Sequence, residues 1–154
     1  MKNVKIPFTP EGYKSLQEEL ELLVKTKRPA GVIRLGKARL MGDLSENSEY
    51  VAAKEDLSYI EGRVKEIEEL IRRAEVIEPK NNSGIVIGVD VTVEKEGTAE
   101  TYSIVGEFEA DPMQKKLSST SPIGKALMGK KVGDVVNIEV PAGTIHYKIT
   151  KIQK

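Results

Sequence analysis

Three carboxylates, Asp43, Glu46 and Glu49, fall within "GDLSENSEY" (42–50), and no Lys or Arg occurs from Leu40 to Ala53. Side chains spaced i and i+3 can converge on one cation. Asp43 and Glu46 would offer it two hard oxygen donors, which hold Mg²⁺ only weakly and leave most of its shell to water, phosphate or ligands supplied by another molecule. The chain has no Cys and one His, His146, so thiolate sites are excluded and any metal site must be built from oxygen ligands. The same spacing also has a purely structural use. Asp43 with Glu46 three residues on fits a capping box, Asp43 accepting backbone N–H groups at a helix start while both charges suit the positive end of the helix dipole. Capping is satisfied by one or two of the three acids, so both uses stay open on the residues alone.

The flanking segments that must position these acids read as long helices. Ala53, Leu57, Ile60, Val64, Ile67, Ile71 and Ala74 are spaced 4, 3, 4, 3, 4, 3, a coiled-coil seam. Upstream, Tyr13, Leu16, Leu20 and Leu23 repeat the 3, 4, 3 spacing, and a weaker series, Ala30, Ile33 and Leu40, continues it. Two seams joined by a short polar turn predict an antiparallel hairpin over about 10 to 77, each helix burying its seam against the other. The second helix, expected over roughly 48 to 77, would be on the order of 45 Å long and would carry the acids to the tip of a projecting rod. Pro29 is expected to kink or break the first helix. Between Glu21 and Asp43 there is no acid, but Lys25, Lys27, Arg28, Arg34, Lys37 and Arg39 all occur. This basic stripe would either pair with Glu55, Asp56 and Glu61 of the returning helix or attract phosphates along the shaft.

After "EPKNNSG" (78–84) the texture changes to β-branched runs broken by Gly and Pro: "IVIGVDVTVE", "ETYSIVGEF", "DVVNIEV" and "IHYKITKI". The predicted fold class is therefore a helical hairpin, residues 1–78, followed by an α+β domain, residues 79–154. In that domain Ser121 at N-cap with Pro122 at N1 starts a short helix that Gly129 would stop. His146 alternates with Ile145 and Tyr147 and reads as a sheet-surface residue. Net charge is zero, which removes any global attraction to nucleic acid. With neither a signal-like start nor an apolar run of transmembrane length, a cytoplasmic protein without membrane contact is expected.

The sequence resembles the bacterial GreA-type transcript cleavage factors over essentially its whole length. The matching stretches, in order, are "KRP", "GDLSENSEY" with "AAKE", "IEGRVKEIEELIRRAEVI", "YSIVG", "EAD", "SSTSPIGKALMGKKVGDVV" and "PAGTIHYKI". Departures are Ser48 where Ala is common, Leu40 and Met41 where a charged or His residue is common, and Met128 in place of Leu or Ile.

The resemblance implies an FKBP-like C-terminal domain and a monomer whose coiled coil enters the secondary channel of RNA polymerase. It further implies that Asp43 and Glu46 hold Mg²⁺ jointly with the polymerase, none being expected on the isolated protein, and that the polymerase then cleaves the nascent RNA near its 3′ end in backtracked complexes. Ser45, Asn47 and Glu49 would support the tip, the first two by bonding water or phosphate and Glu49 as a helix-start residue. Arg39 and Lys54 would contact RNA or polymerase, and the region of Ser121 and Pro122 would dock on the channel rim. Contact with free nucleic acid, DNA included, would be weak and salt-sensitive. Two other classes stand beside this one: a channel-binding competitor without cleavage, and a stand-alone enzyme. For the enzyme, a prolyl isomerase does not follow from fold similarity, and a nuclease fails because one exposed acidic pair supplies neither two metal sites nor a substrate pocket.

Overall fold

The structure, a computed structural model, describes residues 4–43, 45–80 and 84–154; Leu44 of the acidic turn and residues 81–83 of the "EPKNNSG" linker lie outside them. One compact unit is Tyr13–Arg73; the other is Met1–Gly12 together with Ala74–Lys154. This spatial division differs from the boundary expected at 78/79 because an extended N-terminal segment pairs with the chain that follows the long helix.

Helix α1 (Pro10–Leu22), most of which belongs to the first unit, runs into a π turn (Leu23–Lys27), then helix α2 (Arg28–Arg39), and a turn leads to helix α3 (Ser48–Arg73). The hairpin is antiparallel: Ala38 lies near Asn47, Arg34 near Glu49 and Asp56, and Glu19 near Arg63. On α3 the expected seam is inward, with Ala53, Val64 and Ile67 buried, Leu57, Ile60 and Ile71 half-buried, and Leu70 added to it.

The first strand of the hairpin departs from expectation after Leu23. Pro29 neither ends the helical path nor breaks it. Its ring crowds the preceding turn and it has no N–H to give, and the backbone responds by widening: the Arg28 N–H donates to the Leu23 carbonyl, five residues back. A widened turn holds one extra residue, so every later side chain is displaced by one position, about 100° around the axis. The buried line after Leu23 therefore passes through Gly31, whose missing side chain makes room for Leu57, to fully buried Ala38. Ala30, Ile33 and Leu40, expected in the seam, face solvent instead.

The long helix also stops earlier than expected. Ala74–Val76, read as its last turn, forms strand β2 and pairs in parallel with strand β1 (Ile6–Phe8), Ile6 opposite Ala74 and Phe8 opposite Val76. The Ile77 N–H continues the ladder onto the Phe8 carbonyl at 2.8 Å. Residues 74–77 find their backbone partners in this distant segment, which outweighs local helical propensity.

The second unit carries a five-stranded sheet of order β5-β4-β3-β7-β6, made of β3 (Asp90–Lys95), β4 (Thr98–Val105), β5 (Lys116–Ser118), β6 (Val135–Val140) and β7 (Gly143–Gln153). All neighbours are antiparallel except β4 and β5. Alternation places Val91, Val93, Val136, Ile138, Tyr147 and Ile149 on one buried face. Residues 85–89, expected as strand, are irregular, yet Ile85, Ile87 and Val89 join the same core, which helix α4 (Pro122–Leu127) closes with fully buried Leu127. The helical hairpin and the α+β domain thus correspond to the predicted fold class.

Candidate functional site

The site is the turn from Leu40 to Asn47, and its geometry reassigns the capping roles. Helix α3 begins at Ser48, one residue after Asn47, and it is Asn47 whose Oδ1 accepts the Tyr50 N–H at 2.9 Å. Its Nδ2 donates at 2.7 Å to the Ala38 carbonyl at the end of α2, which also accepts the Met41 N–H at 3.1 Å. One amide thus ties both helix ends together. An aspartate could cap but could not donate, whereas the amide of Asn47 accepts through one atom and donates through the other.

Asp43 and Glu46 lie before the helix start and do not form the expected capping box. Asp43 is exposed, and its Oδ1 accepts the Ser45 N–H at 3.0 Å and the Ser45 hydroxyl at 2.8 Å. These two donors, the backbone one foremost, hold its carboxyl below the ordinary aspartate range. Among the described residues, its Oδ2 has no hydrogen-bond donor. Glu46 is exposed and its N–H donates to the Asp43 carbonyl at 3.3 Å, which closes the turn between the two acids. Ser45 thus bonds Asp43, and Asn47 bonds both helix ends.

Glu49 does more than start a helix. It accepts two hydrogen bonds from Arg34, Nε to Oε1 at 2.7 Å and Nη2 to Oε2 at 3.3 Å, while Arg34 Nη1 reaches Asp56. The guanidinium fork spans two turns of α3 and lowers the Glu49 carboxyl, chiefly by hydrogen bonding; the two acids in turn raise the Arg34 pKa further. In the sequence Arg34 is one cation of the basic stripe, and its opposition to Asp56 on the returning helix is the signal of this role. Of the expected partners, only Asp56 pairs with the stripe among the described residues; Glu55 and Glu61 do not. Lys25 pairs with Glu21, whereas Lys27, Arg28, Lys37, Arg39 and Lys54 have no acidic partner among the described residues.

Asp43 and Glu46 present two exposed carboxylates on one turn, and no group of three or more Asp, Glu or His that could hold a metal occurs among the described residues. In the second unit, Ser121 caps α4, its Oγ accepting the Gly124 N–H at 3.0 Å and donating to the Ser118 carbonyl at 2.7 Å, with Pro122 at N1. His146 is exposed on β7 and meets Asn137 across the β6–β7 pair. No helix among the described residues is long and apolar enough to cross a membrane.

A family model described as "Transcription elongation factor, N-terminal" matches residues 6–76, and one described as "Transcription elongation factor, GreA/GreB, C-term" matches residues 80–154. Among curated relatives, the transcription elongation factor GreA of Thermomicrobium roseum is 44% identical over 99% of this chain and 100% of that protein. That of Thermoanaerobacter pseudethanolicus is 50% identical over 96% of each, and that of Bacillus subtilis 47% over 95% of each. A crystal structure of GreA factor homolog 1 (Gfh1) from Thermus thermophilus is 29% identical, covers 97% of this chain and 99% of that one, and has a TM-score of 0.45.

Proposed function

Because this chain belongs to the GreA/GreB family of transcription elongation factors, we propose that it enters the secondary channel of bacterial RNA polymerase and stimulates the polymerase's own cleavage of backtracked RNA. The observation that carries this reading is the exposed acidic pair, Asp43 and Glu46, on a turn braced from both sides by Asn47 and Arg34. Two carboxylates are too few to make a metal enzyme alone and enough to complete a site begun by another protein. When bound between this pair and the polymerase, Mg²⁺ supplies charge stabilisation for the attacking and leaving oxygens of phosphodiester hydrolysis.

Asp43 contributes a carboxylate that Ser45 orients, with Oδ2 open to a cation. Glu46 contributes the second, on the opposite end of the same closed turn. The bracing matters because a loosely held pair would lose the orientation on which its contribution depends. In this reading the unpaired Arg39 and Lys54 contact RNA or polymerase, and the C-terminal domain, FKBP-like by resemblance, docks on the channel rim near α4. The chain acts as a monomer in the cytoplasm and is not a nuclease on free RNA.

The test uses a purified backtracked complex. Asp43→Asn and Glu46→Gln should each strongly reduce RNA shortening across a Mg²⁺ titration, with polymerase binding and helix content near wild type, since neither residue caps α3. Each variant should also compete with wild type when in excess. Full cleavage by Asp43→Asn would refute the metal role, and wild-type binding without any RNA shortening would make the chain a channel competitor instead.

A further inference from the structure

The displacement caused by the π turn leaves a second apolar line on α2, on the side turned away from α3. Pro29, Ile33, Gly36 and Leu40 follow one another at 4, 3, 4 spacing, with Val32 beside them. Ile33 is 59% exposed, Val32 54% and Leu40 88%, and a side chain at Gly36 would meet nothing within 4 Å. The spacing is that of a helix-packing seam. On α3 an equivalent seam is covered by α2, whereas this one has no cover among the described residues.

The flanks of the line have one sign. Arg28 and Arg39 lie on the Val32 side and Lys37 on the Ile33 side, by i, i+4 and i, i+7 spacing, and none has an acidic partner among the described residues. With a net charge of zero over the whole chain, this local excess of cation is a property of the face and not of the composition.

We propose that this face of α2 is a docking surface for a protein wall that presents aliphatic side chains bordered by carboxylates. Resting on the reading given above, that wall belongs to the polymerase channel. The chemistry selects among occupants. A second copy of the chain, meeting this face with its own in a symmetric dimer, would set Arg28, Lys37 and Arg39 against the same cations. Single-stranded RNA would be held by stacking on aromatic rings, and the line holds only Val, Ile, Leu, Pro and Gly. An aliphatic strip with acidic borders satisfies both components at once, the strip by burial and the borders by charge.

The experiment compares wild type, Val32→Ser/Ile33→Ser, Lys37→Glu and, as a control, Tyr59→Ser, an exposed aromatic on α3. Equilibrium and stopped-flow binding to purified RNA polymerase are measured with helix content, sedimentation velocity and binding to a single-stranded RNA oligonucleotide. The expected result is at least tenfold weaker polymerase binding by the double variant, slower and less salt-dependent association by Lys37→Glu, and no change in Tyr59→Ser. Cleavage at saturating double variant should be retained, because the acidic turn is intact. Wild-type affinity in the double variant would overturn the proposal, as would a change in self-association or in RNA binding of comparable size. Those results leave polymerase binding by the wild type standing; absence of wild-type binding would instead remove the channel reading itself.

Discussion

Replacing Asn47 with Ala removes two interactions at one position and tests whether the acidic turn is held as described. The cap to Tyr50 N–H at 2.9 Å is worth about 1 kcal/mol, with a range of roughly 0.5–2. The bond from Nδ2 to the Ala38 carbonyl at 2.7 Å adds about 1 kcal/mol, since that buried carbonyl still accepts the Met41 N–H at 3.1 Å when the Asn47 donor is lost. The expected total is about 2 kcal/mol, a roughly 30-fold change in the folding equilibrium of the hairpin. Urea denaturation followed by far-UV circular dichroism measures it. Asn47→Asp separates the two parts: it keeps an acceptor for Tyr50 N–H but sets a carboxylate oxygen against the Ala38 carbonyl, so its loss should come from the second bond alone or slightly exceed it. In the cleavage assay, Asn47→Ala should need more Mg²⁺ for half-maximal effect while still binding polymerase. A loss under about 0.5 kcal/mol for Asn47→Ala, or a variant that needs no additional Mg²⁺, would refute the bracing argument.

Acidification should weaken the hairpin. Arg63 hydrogen-bonds Glu19 and lowers its carboxyl pKa below the ordinary 4.5, so the stability it contributes is present above that value and is lost as pH falls through the folded pKa. Thermal melts should therefore decline below about pH 4.5, and Arg63→Met should flatten that decline while costing no more than about 1 kcal/mol at neutral pH, because the pair is partly exposed. In the second unit, Gly124→Ala places a Cβ 1.9 Å from the Ser118 carbonyl oxygen, so a loss of about 1–3 kcal/mol is expected by thermal shift. Leu127→Ala, emptying a fully buried position under the sheet, should cost about 2–5 kcal/mol in the same measurement.

Much of the architecture was legible because it is written in local period and local chemistry. The 4, 3 spacing from Ala53 to Ile71 specified one face of α3 whatever it packed against, and Ser121 with Pro122 specified where α4 begins. Alternation in 135–140 and 145–152 likewise separated the buried side chains of β6 and β7 from the exposed ones. What tertiary structure decided was every choice between locally equivalent options. Asp43 and Asn47 are both good caps, and Asn47 prevails because its amide also reaches Ala38, nine residues back on the facing helix. Ala30–Ile33–Leu40 and Gly31–Ala38 are both helical spacings. The second line is buried because a π turn next to Pro29 rotates α2 and because Gly31 lets Leu57 approach, neither of which is encoded in the period. Ala74–Val76 could extend a helix, but the parallel partner that makes it a strand lies at Ile6–Phe8, a pairing between segments too distant in the chain for any local pattern to announce.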